Sequence, residues 1–119
     1  MKKFMGRHLI VDAYEVQGKT LQNKKIMKRM LEDLPSKLKM RILRKPIIGE
    51  IKSELYPTTG LSGFVILYES HLSFHTWPEE NYAAIDVYSC RDFDSKAAVK
   101  YLKEYLGTRQ MKVKSIIRG

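Results

Sequence analysis

The sequence predicts a two-layer α/β sandwich, in which a mainly antiparallel sheet carries two helices on one face. Two helical segments are separated by a run of β-rich segments, and neither a repeat nor a linker interrupts the order β α β β β β β α β. That arrangement favours an antiparallel sheet with both helices on the same side. The opposite face then lacks a cover, and a second copy of the chain is expected to provide it, giving a dimer.

The first half of the chain supplies a strand, a helix and two further strands. Residues 7–16 are β-rich and end before Gly18. A helix starting at Thr20 is predicted to stop at Pro35, because the apolar residues before it recur at helical spacing on one face. Residues 38–42 alternate apolar with basic side chains, which predicts a half-exposed strand, and residues 48–56 predict another.

The second half begins with extended sequence and closes with a helix and a strand. Residues 61–77 have β-type sequence after the turn residues PTTG, and residues 82–90 alternate again. Asp92 or Asp94 is placed to cap the second helix, which Gly107 is expected to end. Residues 110–117 predict the last strand.

Composition indicates one globular domain over residues 1–119. Hydrophobic residues make up 44% of the chain and charged residues 29%, as in soluble domains. No apolar run approaches the roughly 20 residues that a membrane helix needs, so no membrane partner is expected. The single cysteine, Cys90, excludes an internal disulfide and fits the reducing cytoplasm.

The formal net charge of +9 raises the possibility of an anionic partner. A small basic α/β domain could bind RNA by stacking bases on sheet aromatics. Such a module needs aromatic residues beside Lys or Arg, whereas the aromatic-rich segment here carries acids and histidines. The excess of basic residues is therefore interpreted as ordinary surface charge, and no nucleic-acid partner is expected. An RNA-binding module is kept as the remote alternative.

The segment ESHLSFHTWPE, residues 69–79, concentrates the polar and aromatic side chains. On a regular strand His71, His75 and Trp77 share one face with Ser73. A hydrolase triad is not supported, because Ser70 lies in no GxSxG elbow. A zinc site is not supported either, since His71 and His75 would lie about 13 Å apart on a strand and no further ligand pair completes a tetrahedron.

Four segments together resemble the prokaryotic pyruvoyl-dependent S-adenosylmethionine decarboxylases. They are GRHLIVDAYE near the start, GLSGFVILYESH, HTWPE and AAIDVYSC, and the similarity extends over nearly the whole chain. The resemblance implies a dimerising two-layer α/β sandwich that decarboxylates S-adenosylmethionine for polyamine synthesis. It also implies self-cleavage between Glu69 and Ser70, giving chains 1–69 and 70–119.

The resemblance assigns a role to each residue of the predicted catalytic site. Ser70 matches the precursor of the pyruvoyl cofactor, which the chain would make from its own backbone. His75 matches the proton acceptor of processing, and Ser62 matches a serine that assists it. Cys90 matches the proton donor of turnover, a step for which a thiol is a suitable acid near neutral pH.

The expected substrate contacts follow from the same resemblance. Glu79 matches the residue that holds the ribose hydroxyls, and Tyr56 matches an aromatic that stacks on adenine. Asp12 and Glu15 lie where acidic residues occur near the substrate, and Trp77 is interpreted as a possible core residue. No metal is expected.

Two departures from the family pattern fall near the expected pocket. Arg91 stands directly after Cys90, where many relatives have glycine, and Glu54-Leu55-Tyr56 replaces a usual His-x-Phe. These changes keep pyruvoyl-dependent arginine decarboxylation, which uses the same chemistry on another cationic amino acid, as the alternative function.

Overall fold

A computed structural model of the chain describes residues 3–52, 54–55 and 57–119. The described residues form six strands, three α-helices and a short 3-10 turn at Pro78–Glu80. The strands are β1 Gly6–Ala13, β2 Ile47–Lys52, β3 Thr59–Ile66, β4 Ser70–Trp77, β5 Tyr82–Ser89 and β6 Met111–Arg118. The helices are α1 Gly18–Leu21, α2 Lys24–Lys37 and α3 Ser95–Leu106.

The strands form one sheet in the order β2-β3-β4-β5-β1-β6, and every neighbouring pair is antiparallel. The predicted antiparallel sandwich is therefore confirmed. The two strands at the centre of the sheet are β4 and β5. They pair in the register that runs from Ser70↔Ser89 to Trp77↔Tyr82. This register brings the start of β4 beside the end of β5.

Alternate residues of the strands pack under the helices and form the core. Leu72 and Phe74 of β4, and Ile85 and Val87 of β5, are buried against the apolar faces of α2 and α3. Each fully buried large side chain contributes about 1.5–3 kcal/mol. Because strand side chains alternate, the same pattern directs the intervening residues to the other side of the sheet.

That other side, which we call the open face, is not covered by a helix in the described residues. The side chains that it carries on the four central strands are His8, Ile10, Asp12, Ser62, Phe64, Ile66, His71, Ser73, His75, Trp77, Tyr82, Ala84, Asp86 and Tyr88. Apolar residues among them are well exposed, including Phe64 and Ile66 at 39% each. The sequence prediction of a bare, aromatic sheet face is confirmed.

Side-chain caps set the starts of the two long helices. Asn23 accepts a hydrogen bond from the Ile26 N–H at 3.1 Å, and Asp94 accepts one from the Ala97 N–H at 3.1 Å. Such caps satisfy N–H groups that have no partner within the helix. Of the two predicted candidates Asp94 is thus the cap, whereas Asp92 pairs with Arg7 at 2.6 Å. Gly107 ends α3 with a φ of 70°, as predicted.

The prediction of a strand over residues 38–42 is wrong. Helix α2 continues past Pro35 to Lys37, because Pro35 lies in the last turn and the Leu38 N–H still bonds to the Leu34 carbonyl at 3.1 Å. Lys39 then adopts a φ of 60° and turns the chain. The segment that follows makes only an isolated bridge, Ile42↔Leu67, to the sheet.

The extended sequence of residues 61–77 forms two strands, as the predicted order of five strands between the helices requires. β3 ends at Ile66, and the Leu67 N–H donates to the Ser70 carbonyl at 2.9 Å, which closes a tight turn over Tyr68 and Glu69. Neither residue belongs to the Gly, Pro or Asn class that usually marks such a turn. Helix α1 was not predicted, since its four residues are too few for helical periodicity.

We predict that Gly63→Ala destabilises the protein, whereas Gly49→Ala does not. A Cβ at Gly63 would overlap the Phe74 ring and lie 3.0 Å from the Leu31 side chain, while a Cβ at Gly49 would meet nothing within 4 Å. Overpacking of this kind costs typically 1–3 kcal/mol. The free energy of unfolding, measured by chemical denaturation of both variants, checks this expectation. Equal stability of the two variants would contradict the packing of Phe74 against Gly63.

Candidate active site

The Glu69–Ser70 peptide bond lies where the tight turn meets β4. The Ser70 backbone pairs with Ser89, the last residue of β5, and the next residue along, Cys90, donates its backbone N–H to the Glu69 carbonyl at 2.8 Å. An N–H donor polarises the carbonyl that receives it. The exposed thiol of Cys90 belongs to the same residue, so Glu69, Ser70 and Cys90 form one group, which we call the turn site.

The side chain of Glu69 is buried and held by two arginines. Its carboxylate accepts a hydrogen bond from the Arg41 backbone N–H at 3.1 Å and lies 3.4 Å from the Arg91 guanidinium and 3.7 Å from that of Arg41. The Arg41 hydrogen bond, assisted by both guanidinium charges, holds the pKa of Glu69 below its usual range, although burial opposes this. Glu69 therefore stays ionised at neutral pH, only 6% exposed.

A second group lies farther along β3 and β4. Ser62 and His75 are directly opposite each other in the register, and the Ser62 Oγ lies 2.8 Å from His75 Nδ1 on the open face. Nearby, the Thr58 hydroxyl donates to Glu79 at 2.7 Å. These residues surround a cavity of about 220 Å³, lined by Ile51, Thr58, Gly60, Ser62, His75, Thr76, Trp77 and Glu79. We call this the His75 pocket.

The turn site and the His75 pocket do not meet within one chain. His75 is five residues from Ser70 along the same strand, which corresponds to about 16 Å at roughly 3.3 Å per residue. A hydrogen bond requires donor and acceptor within about 3.2 Å. The sequence-predicted catalytic residues are therefore divided into Glu69, Ser70 and Cys90 at one end of β4, and Ser62 and His75 toward the other.

The predicted substrate contacts are also divided. Asp12 shares a row of the sheet with His75, through the pairings Asp12↔Ala84 and His75↔Ala84, which places it two strands or about 10 Å away. Glu79 lines the His75 pocket, whereas Glu15 lines a different cavity with Gln17 and Asn81. Tyr56 lies outside the described residues.

A stack of aromatic rings borders the His75 pocket. Trp77 stacks on Tyr82 at 5.2 Å between ring centroids, and Tyr82 stacks on Tyr14 at 5.4 Å. The Tyr82 hydroxyl donates a hydrogen bond to Asp12 at 2.6 Å. Burial is the larger cause and this hydrogen bond the second cause that together raise the pKa of Tyr82 to about 12. Trp77 is 41% exposed, so its interpretation as a core residue is wrong. The sequence signal for the open face was the two-residue spacing of His75 and Trp77, which puts both side chains on the same side of a strand.

Between the two groups, the centre of the open face carries a cluster of histidines. His71 lies between the rings of Phe64 and Tyr88, at 5.5 and 5.9 Å, and His8 bonds to Asp86 at 2.9 Å. Burial, assisted by the nearby His8, lowers the pKa of His71. His71 is therefore neutral at physiological pH, and this part of the open face is suited to burial against another surface.

Sequence reasoning missed the two arginines around Glu69 as members of the site. Arg91 was noted only as a departure from a family pattern, and Arg41 as part of a predicted strand.

The described residues contain no group of three or more His, Cys, Asp or Glu that could hold a metal ion. Within the described part of the chain, no helix combines the length and apolar sequence required to cross a membrane. A larger groove of about 860 Å³, between α3 and β6, contains none of the predicted site residues.

Comparison with known proteins gives one consistent result. Residues 7–119 match the family model described as S-adenosylmethionine decarboxylase. The chain is 36% identical over 118 residues to the S-adenosylmethionine decarboxylase proenzyme of Clostridium botulinum strain Langeland, covering 98% of this chain and 97% of that protein. It is 34% identical to the proenzyme of the same name from Clostridium kluyveri, over 97% of this chain and 87% of the relative.

A solved structure is similar over nearly the whole chain. The adenosylmethionine decarboxylase from Aquifex aeolicus VF5 superposes with a TM-score of 0.82 at 28% sequence identity, covering 99% of this chain and 93% of that one. The superposition covers nearly all of this chain, so the likeness in fold extends over the segments that form the turn site and the His75 pocket.

Proposed function

Because this chain belongs to the S-adenosylmethionine decarboxylase family, we propose that it removes the carboxylate of S-adenosylmethionine as CO₂. The product is the decarboxylated aminopropyl donor used in polyamine (spermidine) synthesis. The observation that carries the proposal is the 2.8 Å hydrogen bond from the Cys90 N–H to the Glu69 carbonyl. It joins the bond that self-processing would cleave to the residue that would donate the proton in turnover.

The cofactor of this reaction is a pyruvoyl group made from Ser70. The Ser70 hydroxyl attacks the Glu69 carbonyl, the peptide C–N bond breaks, and an ester joins the two residues. A base removes the Ser70 α-proton, the ester C–O bond breaks to leave the Glu69 carboxylate, and water releases ammonia from the remaining dehydroalanine. The polarised Glu69 carbonyl fits the first step, since the Cys90 N–H stabilises the negative charge that develops on its oxygen.

The residues around the cofactor have separate tasks in turnover. The pyruvoyl group would supply a carbonyl for the substrate amine and an acceptor for the electrons left by the departing CO₂. Cys90 holds the proton that is returned to the substrate carbon, since its exposed thiol is next to the new N-terminus. Glu79 accepts hydrogen bonds from the two ribose hydroxyls, and Tyr56 provides a stacking surface for adenine. Asp12 favours the cationic sulfonium through its negative charge.

His75 acts in this scheme on a second copy of the chain. The base of processing must reach the Ser70 α-proton, and His75 is about 16 Å away along its own strand. A second copy packed on the open face brings its His75 and Ser62 toward the turn site. Phe64 and Ile66, which are neighbours on this face and 39% exposed, support such a contact, because exposed apolar side chains are stabilised when a second surface covers them. The active unit is accordingly a homodimer with shared sites.

We predict that the purified chain separates into residues 1–69 and 70–119. Cleavage through the ester route changes the summed fragment mass by the gain of water and loss of ammonia, whereas ordinary proteolysis only adds water. Intact mass spectrometry distinguishes the two routes. Ser70→Ala should abolish cleavage, because it removes the nucleophile, while the control Ser73→Ala on the open face should cleave normally. A wild-type chain that stays whole on prolonged warm incubation would contradict the proposal.

The shared site predicts complementation between two inactive variants. Ser70→Ala lacks the nucleophile and His75→Ala lacks the base, so each expressed alone should form no pyruvoyl fragment. Expressed together, mixed dimers contain one site with both residues intact, and the His75→Ala chain should then release the fragment. Tagged chains and mass spectrometry identify which chain was cut. No cleavage in the mixture would contradict a site shared between two chains.

The substrate is tested by competition between two labelled amino acids. Processed enzyme is supplied with carboxyl-labelled S-adenosylmethionine and arginine, and released CO₂ is counted. S-adenosylmethionine should be consumed more than tenfold faster, because each good polar contact to ribose contributes about 1–3 kcal/mol. Glu79→Gln should reduce that preference. Faster release from arginine would overturn the substrate but leave the roles of Ser70, His75 and Cys90 standing.

A further inference from the structure

Glu69 is held by two segments of the chain, residues 39–41 and 90–91, that meet at the turn site. Its carbonyl accepts the Cys90 N–H, its Oε1 accepts the Arg41 N–H, and its Oε2 lies 3.4 Å from the Arg91 Nη2. The same Arg91 nitrogen donates to the Lys39 carbonyl at 2.6 Å. Arg91 therefore ties the residue before the scissile bond to the irregular segment after α2.

We propose that Arg91 is a positioning residue for self-cleavage, acting through the Glu69 carboxylate. This inference rests on the proposed function, since it concerns the rate at which the Glu69–Ser70 bond is cut. Arg91 holds the Glu69 side chain while its neighbour Cys90 holds the Glu69 carbonyl. Two adjacent residues thus fix both ends of the residue that Ser70 attacks.

Orientation is the first reason why this contact affects cleavage. The Ser70 hydroxyl must approach the carbonyl of the preceding residue through a five-membered ring, which only a narrow range of backbone angles permits. Restricting such freedom beforehand lowers the barrier. Loss of the Arg91 contact leaves the Glu69 side chain bound only to Arg41. The backbone of the turn then samples more conformations, including ones in which the Glu69 carbonyl is not aligned with the Ser70 hydroxyl.

Charge is the second reason. Attack by Ser70 develops a negative charge on the Glu69 carbonyl oxygen, close to the ionised carboxylate of the same residue. The carboxylate is buried, so solvent screens the repulsion poorly. The ionisable groups within ion-pair distance of it, among the described residues, are the guanidinium groups of Arg91 and Arg41. Arg91 offsets the repulsion, and its removal leaves Arg41 as the one guanidinium group within ion-pair distance of the carboxylate among the described residues, so the developing negative charge is less well stabilised.

The experiment measures the rate of cleavage and its dependence on both partners. Wild type, Arg91→Ala, Arg91→Lys, Glu69→Gln and the double variant Glu69→Gln/Arg91→Ala are made by cell-free synthesis with a pulse of labelled methionine. The half-time for conversion of the full-length chain to fragments is followed after the chase. Arg109→Ala is the matched control, because it removes an exposed arginine that lies outside the turn site.

Arg91→Ala should lengthen the half-time of cleavage roughly tenfold. Arg91→Lys keeps the charge but not the planar guanidinium group, so its half-time should lie between those of wild type and Arg91→Ala. Arg109→Ala should cleave as wild type does. In the Glu69→Gln background the Arg91→Ala change should add little, because its effect acts through the carboxylate.

Three outcomes would overturn this role and are distinguishable from failure of the proposed function. Cleavage of Arg91→Ala at the wild-type rate removes the role while self-processing stands. If Arg91→Ala also slows cleavage tenfold when it is added to Glu69→Gln, Arg91 does not act through the Glu69 carboxylate. Slowing of Arg109→Ala to the same extent assigns the effect to net charge. If Arg91→Ala lacks a cooperative thermal transition, Arg91→Lys carries the test. A wild type that never cleaves contradicts the proposed function itself.

Discussion

Burial of one face of the six-stranded sheet under α2 and α3 is the constraint on which the other features depend. Leu72 and Phe74 on β4 must face the helices, and strand geometry then directs His71, His75 and Trp77 to the opposite face. A slip of one residue would exchange the two sets and bury polar groups. The hydrophobic core therefore selects which side chains are available for chemistry on the open face.

The antiparallel register has an equally direct consequence at the turn site. Pairing of Ser70 with Ser89 places Cys90 just past the last ladder pair, where its N–H meets the Glu69 carbonyl. Residues separated by 21 positions in sequence become neighbours through backbone hydrogen bonds alone. The backbone of Cys90 is therefore held beside the Glu69–Ser70 peptide bond by the same hydrogen bonding that pairs β4 with β5.

Under the proposed function, division of the site between the two ends of β4 would link self-processing to assembly. Within one chain, Ser70 and His75 are too far apart to share a proton, while the open face between them exposes apolar rings around a neutral His71. A second copy on this face would both cover the rings and complete the site. Such an arrangement would make processing depend on dimer formation, and an isolated chain would remain whole.

The sequence by itself determined the alternation of the strands, the two long helices and the identity of the chemical groups. It failed where tertiary contacts override local pattern. Residues 38–42 alternate as a strand does, yet Lys39 turns the chain and Arg41 bonds to Glu69 instead of to a sheet neighbour. Only the tertiary structure decided that Arg91 and Arg41 belong with Glu69, and that Ser70 and His75 lie apart. Periodicity specifies the face of a residue, whereas distances between elements depend on register and packing across the whole sheet.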